Sequence, residues 1–274
     1  MPHLQGERVY RRMTVRELSL FSGAGGGLLG THLLGWTPIG YVEYDDYCQR
    51  VIAQRIKDGL LPNAPIFGDV RAFIGEGYAS AYQGMADVVT AGWPCQPHST
   101  AGRRKGADDE REGWPWVIET IRQVRPRWFL GENVPGILST DAGRYFGAIL
   151  RDLAQAWYQC QWGVLSACAF DAPHARERLF IVAHADGVGG TWRRDSERSI
   201  SGAQWGKTQK RSQSHIESQR PAQTEIWRKS KTSFLRMADG MGSRMDRIRA
   251  IGNGQVPVVV AAAWHLLTEG LDRD

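Results

Sequence analysis

The stretch ADVVTAGWPCQPHST (residues 86–100) runs from apolar residues into a single cysteine flanked by Pro94 and Pro97. ADVVTAG reads as a buried strand. Structural cysteines sit mostly inside periodic apolar segments, where they act as small hydrophobes; Cys95 does not. The prolines bar regular structure on both sides, which predicts Cys95 on a rigid loop at the C-terminal end of a strand. That edge is where open α/β sheets bind their ligands.

Working outward, residues 16–21, RELSLF, read as a first strand that opens into a glycine turn. Further strands are predicted at 37–42, 65–68, 87–91, 127–130, 161–167 and 179–183, with helices at 28–34, 46–56, 116–124 and 145–157. Strands alternating with helices predict an α/β fold: a doubly wound, mostly parallel, Rossmann-like sheet. VPVVVAAAWHLL (residues 256–267) reads as a closing helix begun by Pro257.

The chain of 274 residues carries a formal net charge of +5. Residues 185–232 hold ten Lys or Arg against five Asp or Glu, so this segment alone accounts for the whole excess. It is rich in Ser, Gln and Gly, and only Val188, Ile200, Ile216 and Ile226 are aliphatic and larger than alanine, too few for a core of its own. The expected organisation is a catalytic domain over 14–184, a small irregular basic lobe over 185–236, and a C-terminal segment, 237–274, that returns to the first domain. No segment reaches the ~18–20 apolar residues of a membrane span, and no apolar run follows the charged N-terminus. Cys48, Cys95, Cys160 and Cys168 form no CxxC pair and no metal-like spacing with histidine. These features predict a reducing, cytoplasmic compartment and no metal.

The turn LFSGAGGGLLG (residues 20–30) follows the first strand, and its glycines permit close approach to a ligand. The dinucleotide fingerprint fails, because its third glycine falls on Leu28. Glu43 follows the second strand, where an acid can accept from ribose hydroxyls. Tyr44 beside it can pack on a purine, and Asp69, after the third strand, can accept from an exocyclic amine. Acids after successive strands suit an adenosine carrier without a pyrophosphate, a description that S-adenosylmethionine fits. At the opposite end, a thiol is intrinsically a strong nucleophile. Glu132 and Asn133, expected just after the fifth strand, and Arg176 and Arg178, expected on one face at a strand start, are candidate helpers for Cys95. Arg103, Arg104 and Lys105 lie in a loop that can close over a phosphate backbone. Trp114 and Trp116 are read as packing near the cofactor or in the core.

The segments LFSGAGG, VEYDD, GDVR, GWPCQPHS, GENVPGIL, ARERLF and AIGNGQVP occur in the order and spacing of the DNA cytosine-5 methyltransferases, and from about residue 18 to 267 the chain resembles that family. Only the basic insert, which lies where the family keeps its target-recognition region, is outside the match. Two positions depart from the family pattern: Ser19 stands where many members have an acid, and His174 where glutamine is usual. The resemblance implies transfer of a methyl group from S-adenosylmethionine, leaving S-adenosylhomocysteine, to C5 of a cytosine flipped out of double-stranded DNA. By the same resemblance, Cys95 attacks C6, Glu132 binds the exocyclic amine and N3, Arg178 holds O2, and Arg176 supports it or a phosphate. Asn133 and Asn253 shape loops, Pro94 fixes the approach of Cys95, and Ser99 contacts the DNA backbone together with Arg103, Arg104 and Lys105. The implied cofactor contacts are Phe21, Ser22, Gly23, Gly25, Gly26, Glu43, Tyr44, Asp69, Val70, Pro94 and Asn253. A monomer is expected, in a modification role that a cognate restriction endonuclease can accompany. Two alternatives stay open: an RNA (tRNA) cytosine-5 methyltransferase, against which stands the absence of a Cys-Phe-Thr stretch, and a non-catalytic nucleic-acid binder on the same scaffold.

Overall fold

The computed structural model describes residues 14–94, 113–172, 174–185, 250, 254–269 and 271. The expected basic lobe, apart from Ala185, and much of the C-terminal segment lie outside these residues. In chain order the elements are β1 (Arg16–Leu20), α1 (Gly26–Leu33), β2 (Thr37–Val42), α2 (Asp46–Lys57), β3 (Ile66–Phe67), α3 (Val70–Gly75), α4 (Tyr78–Ala81) and β4 (Val88–Ala91). They continue with α5 (Trp114–Val124), β5 (Trp128–Asn133), α6 (Arg144–Gln155), β6 (Tyr158–Ser166), β7 (Glu177–Ala185) and α7 (Pro257–Thr268).

Among the described residues the strands form one seven-stranded sheet in the order β3-β2-β1-β4-β5-β7-β6. The pairs β1–β2, β1–β4, β2–β3 and β4–β5 are parallel, while β7 runs antiparallel to both β5 and β6. The chain winds outward from β1 through β2 to β3, then returns to the other side of β1 at β4. Its direction therefore reverses between β1 and β4, and the crevice beyond their C-terminal ends is the place where such sheets bind ligands.

Alternation along the strands sorts side chains onto two cores. Leu18, Leu20, Val89, Ala91, Phe129, Leu179 and Ile181 pack on one face with Val117 and Ile121 of α5 and Ile149 and Leu153 of α6. Val88, Trp128, Leu130, Phe180 and Val182 pack on the other, against α7. A strand covered on both faces buries whatever it carries, so Glu17 of β1, which bonds Thr31 of α1, is fully buried. Gly30 lets α1 and α7 meet: a Cβ there would lie 2.6 Å from Val260 Cβ. No helix among the described residues is long and apolar enough to cross a membrane.

Most predicted elements recur within a residue or two, with four differences. β6 begins at Tyr158, three residues before its predicted start at Gln161. β5 extends to Asn133, so Glu132 and Asn133 lie within the strand rather than after it. Polar residues continue this strand because β7 pairs along its whole length, with Asn133 opposite Leu179. β7 begins at Glu177, which leaves Arg176 just outside it. The helix predicted over 145–157 ends at Gln155, and Trp157 turns the chain with a left-handed φ of 66°.

Candidate active site

The cavity at the switch point is lined by the glycine turn (Ser22, Gly23, Gly26 and Gly27), by Ser19, Thr90 and Gly92 at the ends of β1 and β4, by Glu132 of β5, and by Gln255. One cavity therefore joins the two ends that the sequence reading kept apart.

Hydrogen bonds fix the turn. Phe21 takes a left-handed φ of 51°, and Gly23 and Gly25 follow at 56° and 92°, conformations that glycine adopts without a side-chain penalty. The Ser22 amide donates to Val42 O, and its hydroxyl lies 3.1 Å from Ser19 O and 3.0 Å from Ser19 Oγ. The Glu43 carboxylate accepts from the Gly23 amide at 2.6 Å and from the Asp45 amide at 2.8 Å. Burial holds the Glu43 carboxyl above the ordinary carboxylate range, and these two amides limit the rise. Glu43 thus joins the end of β2 to the glycine turn, and each oxygen keeps a second lone pair for a ligand.

Tyr44 is 73% exposed, leaving its ring open to pack on a ligand. Asp69 caps α3 through the Arg71 amide and pairs with the Arg71 guanidinium at 2.7 Å, which lowers its pKa. Val70 is buried at the start of the same helix. Glu43 is thus bonded to the glycine turn, with the exposed Tyr44 ring beside it, a donor, acceptor and ring set whose chemistry suits an adenosine-linked ligand.

Across the cavity, Arg178 Nε lies 2.9 Å from Glu132 Oε1. Burial pushes the Glu132 carboxyl up to about 7, against the opposing pull of Arg178 and Arg176. Arg176 reaches the other way, and its Nη2 donates to Gly254 O at 2.8 Å, which ties the segment before α7 to the site. Desolvation lowers the Arg176 pKa. Asn133 Nδ2 donates to Trp93 O at 3.1 Å, and its Oδ1 accepts from the Val134 amide. This side chain holds the end of β5 to the chain two residues before Cys95. Trp114 packs in the core with Trp93 and Phe129.

The structure brings Phe21, Ser22, Gly23, Gly25, Gly26 and Glu43 together at one end of the site, and Glu132, Asn133, Arg176 and Arg178 at the other. Pro94 is described and exposed. Cys95, Ser99, Arg103, Arg104, Lys105 and Asn253 lie outside the described residues, and no metal-binding group occurs among those described. Two cavity features escaped the sequence reading. Gln255 stood unremarked inside AIGNGQVP, and the buried set Glu17–Thr31–Thr90 lacks any local signal because it spans three elements.

Residues 13–253 match the family model described as C-5 cytosine-specific DNA methylase. The Type II methyltransferase M.NgoMIV of Neisseria gonorrhoeae is 32% identical over 172 residues, covering 62% of this chain and 52% of that protein. The Type II methyltransferase M.AquIA of Picosynechococcus sp. is 33% identical over 187 residues, covering 63% of this chain and 73% of that protein. The chain thus spans about half the length of the two Neisseria relatives it matches. The crystal structure of the S. pombe Dnmt2 methyltransferase shares the fold, with a TM-score of 0.57 at 18% identity over 94% of this chain and 99% of that one.

Proposed function

The chain belongs to the C-5 cytosine-specific DNA methylase family, and from that membership we propose that it methylates C5 of cytosine in double-stranded DNA with S-adenosylmethionine as donor. One observation carries this reading. A buried carboxyl with a pKa near 7, paired with a guanidinium, faces a glycine turn across one cavity, beside the strand that leads to Cys95.

The glycine turn, Glu43 and Tyr44 would hold S-adenosylmethionine, which would supply an electrophilic methyl carbon. The residues of the chain do the rest. The Cys95 thiolate adds to C6 of an everted cytosine, forming the S–C6 bond as the C5–C6 π electrons shift to the C4–C5 bond and the C4–N3 π electrons move onto N3. Glu132 accepts from the exocyclic amine, and in its protonated form donates to N3, where negative charge develops. A carboxyl titrating near 7 populates both forms at neutral pH. Arg178, released from Glu132, would hold O2, while Arg176 bonds Gly254 O and keeps the segment before α7 against the site. C5 of the resulting enamine would take the methyl carbon, the donor leaving as the neutral thioether S-adenosylhomocysteine. A base then takes the C5 proton, and that electron pair reforms the C5–C6 double bond as the Cys95–C6 bond breaks and the thiolate leaves. Asn133 acts through Trp93 on the placement of Pro94 and Cys95.

The basic segment 185–232 suits phosphate contact, and the Type II relatives favour a modification role, with a restriction endonuclease as its natural counterpart. The test is covalent trapping on duplex DNA containing 5-fluorocytosine, where the fluorine cannot leave as a proton. An adduct that requires the methyl donor and disappears in Cys95→Ser is the expected result. Salt-sensitive binding to every duplex with no adduct would overturn the reading in favour of a non-catalytic binder, and an adduct on tRNA alone would reassign the substrate.

A further inference from the structure

The cavity is crossed by one side chain with no assigned role. Gln255, on the segment before α7, extends between the glycine turn and the end of β4. A Cβ on Gly27 would lie 2.7 Å from Gln255 Oε1, and a Cβ on Gly92 would lie 2.4 Å from Gln255 Nε2 and 3.4 Å from Glu132 Oε2. The amide is therefore wedged between two glycine backbones, one in the donor-side turn and one beside the Glu132 carboxyl. The backbone of Gln255 also presses on the turn, since a Cβ on Gly26 would lie 2.5 Å from Gln255 O. The segment is held there by the bond from Arg176 to Gly254 O.

We propose that Gln255 is a positioning residue: its side chain is a spacer that sets the separation between the donor site at the glycine turn and the base site at Glu132. This rests on the methyltransferase reading. The chemical argument is one of reach. Group transfer needs the reacting atoms aligned at near contact, and a misplacement of about 1 Å costs on the order of 10²-fold in rate. The donor-side turn runs from β1 into α1 and Gly92 follows β4, and Gln255 fills the gap between them from the segment before α7. Its action lies in length and volume.

The glycines make the idea testable in three independent ways. Gln255→Ala removes the spacer. Gly27→Ala and Gly92→Ala displace the same amide by placing a methyl group where it lies. Because the displaced group is the end of a flexible side chain, both glycine variants are expected to fold. Gly26→Ala meets backbone instead and is expected to destabilise the fold. Steady-state turnover on duplex DNA, donor affinity by calorimetry and thermal melting are measured for each. The expected result is a kcat lowered roughly tenfold or more in Gln255→Ala, Gly27→Ala and Gly92→Ala, with melting little changed in all three and donor affinity within about threefold of the parent chain in Gln255→Ala and Gly92→Ala. Gln255→Met, similar in length and lacking the amide, should restore most of the rate. Double variants combining Gln255→Ala with either glycine change should be no worse than Gln255→Ala alone. Additive losses, an unchanged kcat in Gln255→Ala, or a Met variant as slow as the Ala variant would each overturn the proposal. A parent chain that binds no donor and methylates no DNA would instead overturn the methyltransferase reading, so the two failures are distinct.

Discussion

Two buried carboxyls in this molecule make an instructive pair. Glu17, the second residue of β1, is fully buried, Glu132 near the end of β5 is 8% exposed, and burial pushes each up to about 7. Their surroundings differ. Glu17 meets two neutral hydroxyls, Thr31 Oγ1 at 2.5 Å from Oε2 and Thr90 Oγ1 at 2.6 Å from Oε1. Thr31 Oγ1 also lies 3.1 Å from Leu28 O, so a protonated Glu17 completes the set. Thr31 and Thr90 both donate to the ionised carboxylate, which works against the effect of burial. In its protonated form Glu17 can instead donate to Thr31, leaving the Thr31 hydroxyl for Leu28 O. Glu132 meets a guanidinium and opens on the cavity. Similar perturbations thus mark a structural group in one place and a candidate catalytic group in the other. A shifted pKa points to function only in combination with a charged partner and access to a cavity.

The largest expected effect separates the two by activity. Glu132→Gln should retain DNA affinity while turnover falls about 10³-fold, within the range for losing general acid–base assistance. Glu17→Gln should lower turnover less than about tenfold, below that range. Equal losses in the two variants, measured by methyl transfer to duplex DNA, would show that Glu17 also reaches the chemistry.

The next contrast lies in stability. The folded-state pKa of Glu17 is raised, so its contribution is fully present below its unfolded value and is lost as pH rises through about 7. For a shift from 4.5 to about 7 the loss is on the order of 3 kcal/mol. Glutamine reproduces the neutral form, with an amide donor towards Thr31 and a carbonyl acceptor for Thr90. Glu17→Gln should therefore melt close to the parent chain at acid pH and above it at alkaline pH. Asp69 and Asp87 have lowered pKa values and act with the opposite sign, losing stability as pH falls. Only the difference between parent and variant isolates Glu17. Parallel melting curves across the whole range would mean that the folded-state pKa of Glu17 equals its unfolded value.

The same pair shows what the sequence could reveal. β2 is legible to the residue, because Pro38 and the apolar run after it mark a strand with clear ends. The glycine turn and Glu43 are legible because each follows a strand, and strand ends gather at one edge of such a sheet. The end of β5 is not, because GEN after an apolar run reads as a loop until the antiparallel partner β7 is known. Glu17 is unreadable for a related reason. A lone acid in RELSL looks like the solvent side of a strand, and only cover on both faces makes it interior. Gln255 has no local signature, since its meaning depends on Gly27 and Gly92 of two distant elements. Local pattern thus locates strand ends, and partners across the sheet decide what those ends do.

The smallest effect tests the distinction from the side of Glu132. Arg178 is the largest influence opposing the effect of burial on this carboxyl. Below the folded pKa, Glu132 is mostly neutral and the attraction of Arg178 contributes little. Above it, the ionised carboxylate depends on that partner, and without Arg178 it must stay protonated to higher pH or be buried unpaired. Arg178→Ala should therefore cost about 1–2 kcal/mol more at about pH 8.5 than at about pH 5.5, the modest size following from the partial exposure of Arg178 to solvent. The check is chemical denaturation of parent and variant at both pH values. An equal cost at both would mean that Arg178 supports the fold by packing alone, and Glu132 would then resemble Glu17, a carboxyl shifted by burial with its charge unused.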